Sequence, residues 1–482
     1  MKKPDIKKTL QISLTQSVVF IFEGEALPKR ITLSNNEEKY ALNRFEKGED
    51  CVALNLYDKW IYLIKLKKKG ELYEKKEWLR QQASKIKDFI LDNGHEELVV
   101  ASENVYDGAV ADFAEGFVLS AYSYDKYKSE KDKQKKVPQL LLYGSLAEDK
   151  VAWLNNIIEA TYWTRDVINE PVMYMNAKTL ASEVSKLGKK SGFDVNVLVG
   201  KHIEALKMGG LLAVNKGSVD PPVLCILEYK PDNCVNEKPV VLVGKGIVYD
   251  TGGLNIKTGN YMNGMKGDMA GAAAVAGVIS VIAKSKLPIY VIGLLPATDN
   301  RPGGNAYTAG DIITMYNKMT VEIGNTDAEG RLILADAISY ASNFKPDLIV
   351  DIATLTGSAA RTFGDKAIAT MSNANRYFLS LLDESGKEVF ERIAELPFWE
   401  DYAELIKSDV ADLVNIGKGA EAGAIIAGKF LEKFAEAPFI HLDIAGTGIL
   451  SANDYYRTKE FPGSGMRLLA TFVKNLSEKY IC

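Results

Sequence analysis

Apolar residues along this chain fall into short, uninterrupted runs rich in β-branched residues, separated by stretches with helical spacing. In the N-terminal part, runs over 10–14, 18–22, 51–56, 60–66, 97–101 and 139–143 predict strands. Between them, Leu79, Ile86, Phe89 and Ile90 draw an apolar stripe on a helix over 78–91, and a second helix is predicted over 112–122. This pattern predicts a small α/β domain over residues 1–150. A helix over 152–168 then bridges residues 151–170 and stops at Glu170-Pro171, because a residue before proline is pushed out of the helical region. Over 171–482, strands at 194–199, 223–229, 239–243, 289–295, 347–353 and 439–444 alternate with helices. That alternation predicts a larger α/β domain with a central, mainly parallel sheet flanked by helices.

Charged residues interrupt this pattern in two places. The run Pro239–Val243 is continuous and apolar, as a fully buried strand would be, and it leads into a glycine-rich segment carrying Lys245, Asp250, Lys257 and Asp268. Ligands in open α/β sheets bind at the carboxyl ends of strands, where these side chains emerge. Asp268 is expected to open a helix over 268–283 whose small residues suit close packing on the sheet. The second place is Asn325-Thr326-Asp327-Ala328-Glu329-Gly330-Arg331. Read as an extended segment, side chains two apart point the same way, so Asp327, Glu329 and Arg331 would converge. Two anions beside a fixed cation suit a metal site next to an oxyanion. The same stretch also reads as a surface turn into a helix over 331–344, with Glu329 near its positive end.

Composition narrows the chemistry. The 482 residues leave room for two or three domains, and 47% hydrophobic with 25% charged content is that of an ordinary globular protein. A net charge of −4 gives no general attraction to nucleic acid or anionic membrane. Basic runs over 65–76 and 126–136 interleave with Glu71, Glu74, Glu130 and Asp132 and read as solvated loops. The start, Met1 to Asp5, lacks the apolar core of a signal peptide, and no segment reads as a membrane span, so a cytoplasmic location is expected. Cys51, Cys225, Cys234 and Cys482 have no metal-type spacing, and Cys225 in its apolar run reads as a buried thiol. The only histidines are His95 in a polar turn, His202 at a helix start and His441 inside a strand, the last read as a core residue. Any metal must therefore be held mainly by carboxylates. Rival chemistries fail: Met265-Lys266 follows Gly259–Gly264 where a phosphate loop needs Gly-Lys-Ser/Thr, and there is no Gly-x-Ser-x-Gly elbow.

Asn325 to Leu332 reproduces without mismatch the octapeptide signature of the leucyl aminopeptidases, peptidase family M17, dinuclear metallo-exopeptidases that this chain resembles. The resemblance extends through Arg165–Pro171, Met208–Val214, Asp351–Gly357, Ser408–Asp412 and His441–Gly446, and so covers nearly everything after Arg165. It implies a variable N-terminal domain shaped like macro domains and a catalytic domain holding two divalent metals, zinc most often, manganese as an alternative. The implied ligands are Lys245, Asp250, Asp268, Asp327 and Glu329, with Asp250 and Glu329 bridging. The resemblance makes Lys257 the electrophile and gives Arg331 a bicarbonate that acts as general base. It lines a pocket for leucine or a similar apolar side chain with Met265, Thr354, Gly357 and Ala445. It also implies peptide substrates and a homohexamer. Some members of the family bind DNA, which the acidic balance opposes here; a non-catalytic relative is opposed by the intact set of matched positions.

Overall fold

The computed structural model describes residues 5–67, 69–129, 135–419 and 421–481. Lys68, Glu130, Asp132 and Cys482, and the first four residues of the expected signal-free start, lie outside the described residues. The chain forms two compact units: Met1–Glu159 with Asn453–Thr458, and Ala160–Ala452 with Lys459–Cys482.

The first unit is built on strands β1 (Ile6–Thr9), β2 (Val18–Phe22), β3 (Cys51–Asn55), β4 (Trp60–Lys65), β5 (Glu97–Glu103) and β6 (Gln139–Tyr143). Their order is β1-β6-β5-β2-β4-β3, parallel throughout except for the antiparallel pair β3-β4. Central β2 is buried at every position, as its unbroken apolar run requires. The strand expected over 10–14 is not formed. Strand β1 lies just before it, paired from Ile6–Leu140 to Thr9–Tyr143, where its partner β6 ends. Leu10 and Leu14 are consequently exposed.

A helix that the apolar pattern missed, Asn35–Glu46, buries only Ala41 and Phe45 and so has no stripe to read. Its signal was the capping box: the Ser34 hydroxyl accepts from the Glu37 amide, and the Glu37 carboxylate accepts from the Ser34 amide. Helix Leu72–Asp92 starts well before 78, so part of the basic run expected to be loop is helical, capped by Glu71 and Glu74. Against it lies helix Ala109–Ser120, with a buried ion network between them. Arg80 Nε donates to Glu115 Oε2 at 2.6 Å, and Arg80 also pairs with Asp112. In the same unit the Tyr456 hydroxyl donates to Glu77 Oε2 at 2.7 Å, and burial pushes the Glu77 carboxyl up from its ordinary range.

The second unit carries strands β7 (Asp194–Val199), β8 (Val223–Tyr229), β9 (Val240–Gly244), β10 (Gly246–Asp250), β11 (Val291–Asn300), β12 (Ile312–Thr314), β13 (Thr320–Glu322), β14 (Leu348–Ala353), β15 (Ile368–Ser372), β16 (Ile393–Glu395), β17 (Leu413–Val414) and β18 (Phe439–Asp443). Nine of them form one sheet in the order β16-β15-β18-β14-β9-β11-β8-β7, with β10 added alongside β11. The central strands β18, β14, β9 and β11 run parallel, while β8 joins antiparallel on one side and β15 on the other. The sheet is thus mixed and mainly parallel, and strands β12, β13 and β17 make a small separate one.

Helix Ala270–Lys284 is buried from Ala270 to Ala283, because its alanines and glycines let the sheet backbone approach. With the turn before it, Met265–Lys284 is long and apolar enough to cross a membrane, contrary to the sequence expectation; its apolarity is that of a core helix, 89% buried over its most apolar window. Asp268 lies in the 3₁₀ turn Met265–Met269 that precedes this helix rather than at the helix start. Helix Glu329–Ala341 begins at Glu329, with a 3₁₀ turn Ser342–Phe344 after it.

Candidate metal centre

Parallel strands pointing one way bring their carboxyl ends together, and the charged residues follow those ends. Lys245 follows β9, Asp250 ends β10, Asn300 ends β11, Thr354 follows β14, and Asp443 ends β18. Asp327 comes from the turn before helix Glu329–Ala341, and Glu329 is the first residue of that helix. Carboxylate oxygens of Asp250, Asp327 and Glu329 all lie within 4.8 Å of one another. The convergence is tertiary: Glu329 and Arg331 stand on one helix turn, where positions two apart diverge, so the extended reading of that segment is corrected.

Two lysines thread this acidic cluster. Lys245 Nζ lies 2.7 Å from Asp268 Oδ1 and 3.0 Å from Glu329 Oε1, and it donates to the Thr354 carbonyl at 3.0 Å. Lys257 Nζ lies 2.7 Å from Asp250 Oδ2 and 2.6 Å from Asp327 Oδ1. Burial works against both ammonium groups, but the surrounding carboxylates outweigh it and hold both pKa values above the ordinary lysine range. Burial in turn raises the Asp268 carboxyl well above its usual value, with Glu329 and Asp250 adding to the rise against the pull of Lys245. Four carboxylates therefore face two ammonium groups in a largely buried site. That excess of hard oxygen donors fits divalent cations such as zinc or manganese.

Small residues make the packing possible. A Cβ on Gly330 would stand 2.4 Å from Lys245 Cε, so only glycine lets that side chain lie across the helix start. Gly252, with φ +89°, turns the chain after Asp250 and donates its amide to Asp250 Oδ1 at 2.8 Å.

Several polar residues to which the sequence assigned no role hold the cluster. Asn300, wholly buried, donates through Nδ2 to Asp250 Oδ1 at 2.9 Å and to the Thr326 carbonyl at 3.0 Å. Asn255 and Thr326 clamp the two loops: Asn255 N donates to Thr326 Oγ1, and Thr326 N to Asn255 Oδ1, both at 2.8 Å. Asn415 accepts from the Gly324 and Asn325 amides and donates to the Asn325 carbonyl. Asp443 accepts from Leu355 N, Thr356 Oγ1 and Ala445 N, fixing the loop in which Thr354 Oγ1 donates to Asp268. Asparagine and threonine at turns carry no periodic signal, so nothing in the hydrophobic pattern marks them.

Arg331 is buried, and its Nη1 donates to the Asn415 carbonyl at 2.7 Å. Its Nε is buried without a partner, and burial lowers its pKa to about 10 despite Glu329 and Asp443. A buried guanidinium edge with no acceptor fits a small anion. Thr354 sits beside Gly448, and the helix Gly357–Phe363 packs against Ala445–Gly448, so Thr354, Gly357 and Ala445 share one neighbourhood. Met265 opens the 3₁₀ turn next to Gly264, which lies beside Ile449. His441 is wholly buried with Nδ1 2.8 Å from Asp351 Oδ2, a paired core residue on adjacent strands.

The catalytic-domain model of the cytosol aminopeptidase family matches residues 162–470. A "Probable cytosol aminopeptidase" of Chlorobium limicola is 42% identical over 381 residues, spanning 76% of this chain and 75% of that protein. One from Chloroherpeton thalassium is 39% identical over 446 residues, 86% of each. Among solved structures, the bottromycin maturation enzyme BotP in complex with Mn superposes with a TM-score of 0.83 at 28% identity, covering 96% of this chain and 99% of that one. The chain belongs to the cytosol aminopeptidase family, peptidase family M17.

Proposed function

We propose that the protein releases N-terminal amino acids from peptides, preferring leucine or another apolar residue, at a site that holds two divalent metal ions. The observation that carries this reading is the convergence of Asp250, Asp327 and Glu329 within 4.8 Å, flanked by Lys245, Lys257 and Asp268. Asp250, Asp268, Asp327 and Glu329 would hold the metals, with Lys245 as a further ligand once metal binding displaces its proton. Zinc and manganese both suit this donor set, and manganese is the ion named with the related BotP structure. The metals would supply Lewis acidity, an acidified water and a ligand position for a free α-amine.

The remaining chemistry belongs to the chain's own side chains. Lys257, kept cationic by Asp250 and Asp327, supplies a donor to negative charge developing on the scissile carbonyl oxygen. Arg331 would hold bicarbonate as general base through its unpartnered Nε. Thr354 Oγ1 and the Thr354 carbonyl orient Asp268 and Lys245, while Met265, Thr354, Gly357 and Ala445 would line the side-chain pocket. A homohexamer in the cytoplasm completes the proposal, and light scattering that gave a stable, active monomer near 53 kDa would remove that part.

The test of the reaction is a pair of substrates. After loading with zinc or manganese, leucyl-anilide should be hydrolysed and N-acetyl-leucyl-anilide should not, since acylation removes the amine. Equal turnover of the two would end the exopeptidase reading.

A further inference from the structure

We propose that Asn300 is the positioning residue that sets which oxygens of Asp250 and Glu329 face the metals. This inference rests on the dinuclear metal reading above. Asn300 is the last residue of β11 and is wholly buried. Its Nδ2 is directed at three oxygens: Asp250 Oδ1 at 2.9 Å, the Thr326 carbonyl at 3.0 Å and Glu329 Oε2 at 3.4 Å. Its own carbonyl accepts from Thr251 N at 3.1 Å and from Thr251 Oγ1 at 2.7 Å. One residue at a strand end thus ties the loop carrying Asp250 to the turn carrying Glu329.

The choice of oxygens is specific. Asn300 shares Asp250 Oδ1 with the Gly252 amide and faces Glu329 Oε2, and the opposite oxygens, Asp250 Oδ2 and Glu329 Oε1, lie 2.7 Å and 3.0 Å from the ammonium groups of Lys257 and Lys245. A neutral amide suits this task better than its alternatives. A lysine or arginine here would compete with a dication for the carboxylates, and an aspartate would repel them. An amide donates to a carboxylate and leaves its charge in place.

The amide has no other polar occupation. Asn300 Oδ1 is buried without a partner, packed where a Cβ on Gly253 would come within 2.8 Å of it. Groups that orient metal ligands typically matter 10–100-fold to metal affinity.

Mn2+ titration calorimetry on the full chain tests the proposal, with Asn300→Ala, Asn300→Leu and a control, Ser280→Ala. The control breaks a buried hydrogen bond to Ser191 Oγ in the same unit, away from the carboxylates. Asn300→Leu keeps the branched outline of the side chain, is somewhat larger and removes the amide, so no cavity confuses the result. The expected outcome is Mn2+ affinity weakened roughly 10–100-fold in both Asn300 variants and unchanged in the control. Their melting temperatures in chelator should fall no further than that of the control. Wild-type Mn2+ affinity in either folded Asn300 variant would overturn the proposal while leaving the metal reading intact. Failure of both variants to fold would also overturn it, since Asn300 would then hold the fold rather than the carboxylates. A wild-type protein that bound no Mn2+ would sink the metal reading itself, and this inference with it.

Discussion

Gly330→Ala isolates the geometry of the site from the stability of the fold. The new Cβ would stand 2.4 Å from Lys245 Cε and 2.7 Å from its Nζ. Ordinary contacts between carbon atoms are about 3.5–4.0 Å, so the end of Lys245 must retreat by roughly 1 Å. It has nowhere easy to go, being 3% exposed and held by Asp268, Thr354 and Glu329 at 2.7–3.0 Å. Two opposing effects act on stability. Alanine for glycine within a helix gains about 1 kcal/mol, and overpacking a filled site costs about 1–3 kcal/mol. The net is a loss of roughly 0–2 kcal/mol, a shift of a few degrees in melting temperature. Activity should respond far more, because a displacement of about 1 Å in a reacting arrangement typically costs on the order of 10²-fold. Circular-dichroism melting and leucyl-anilide kinetics on the same metal-loaded preparation separate the two effects. A variant that kept the wild-type kcat/KM would refute the assigned place of Lys245, whatever its melting temperature.

Lys257→Ala should retain both metals and lose about 10²–10³ in kcat, whereas Lys245→Ala should weaken one metal and recover part of its activity in excess metal; mass spectrometry of the metal content beside steady-state kinetics distinguishes the two, and the reverse pattern would exchange the roles. Arg331→Ala should bind metals normally, turn over slowly and lose its response to added bicarbonate, and a response equal to wild type would move the anion elsewhere. Burial lifts the Asp336 carboxyl from 3.8 to about 7, although the amides of Leu211 and Tyr316 donate to it. Between those values the folded protein holds a proton that the unfolded chain has released, so this group's contribution to stability falls as pH rises through the window, by at most about 1.4 kcal/mol per unit. In urea unfolding from pH 4 to 7 the fall should be shallower in Asp336→Asn than in wild type, by up to that amount per pH unit; equal slopes would mean the carboxyl titrates normally.

The fold was legible wherever apolar residues recur along a strand, whether it is buried throughout, as Val18–Phe22 is, or not, as Asp194–Val199. The strands Val18–Phe22, Gln139–Tyr143, Asp194–Val199 and Val223–Tyr229 coincide with their apolar runs, and Val240–Gly244 is displaced by a single residue. It was illegible where tertiary pairing decides. Residues 10–14 have as good a strand pattern as β1 but lie beyond the end of β6, and β10 opens on a glycine and ends polar, so it does not announce itself. Strand β11 runs on to Asn300, beyond the predicted 295, because the neighbouring β8 and β10 continue to offer partners. In the candidate site, the charged residues stood out because charge in a glycine-rich segment after a buried strand is conspicuous. Asn300, Asn255, Asn415 and Asp443 did not, since their role is to meet backbone groups from remote segments, and no local spacing encodes that.

The membership of Asn453–Thr458 in the first unit bears on how the chain can be cut and how it is made. A fragment ending at Glu159 would lack the segment that brings the Tyr456 hydroxyl to Glu77, leaving that carboxylate the Gln81 side-chain amide as donor. Losing one such hydrogen bond typically costs about 0.5–1.5 kcal/mol, a sizeable share of what holds a small unit together. During synthesis, the N-terminal sheet emerges from the ribosome long before Tyr456, so its final packing waits for nearly the whole chain. Expression of the N-terminal unit alone therefore calls for the late segment to be supplied with it, rather than for a simple truncation.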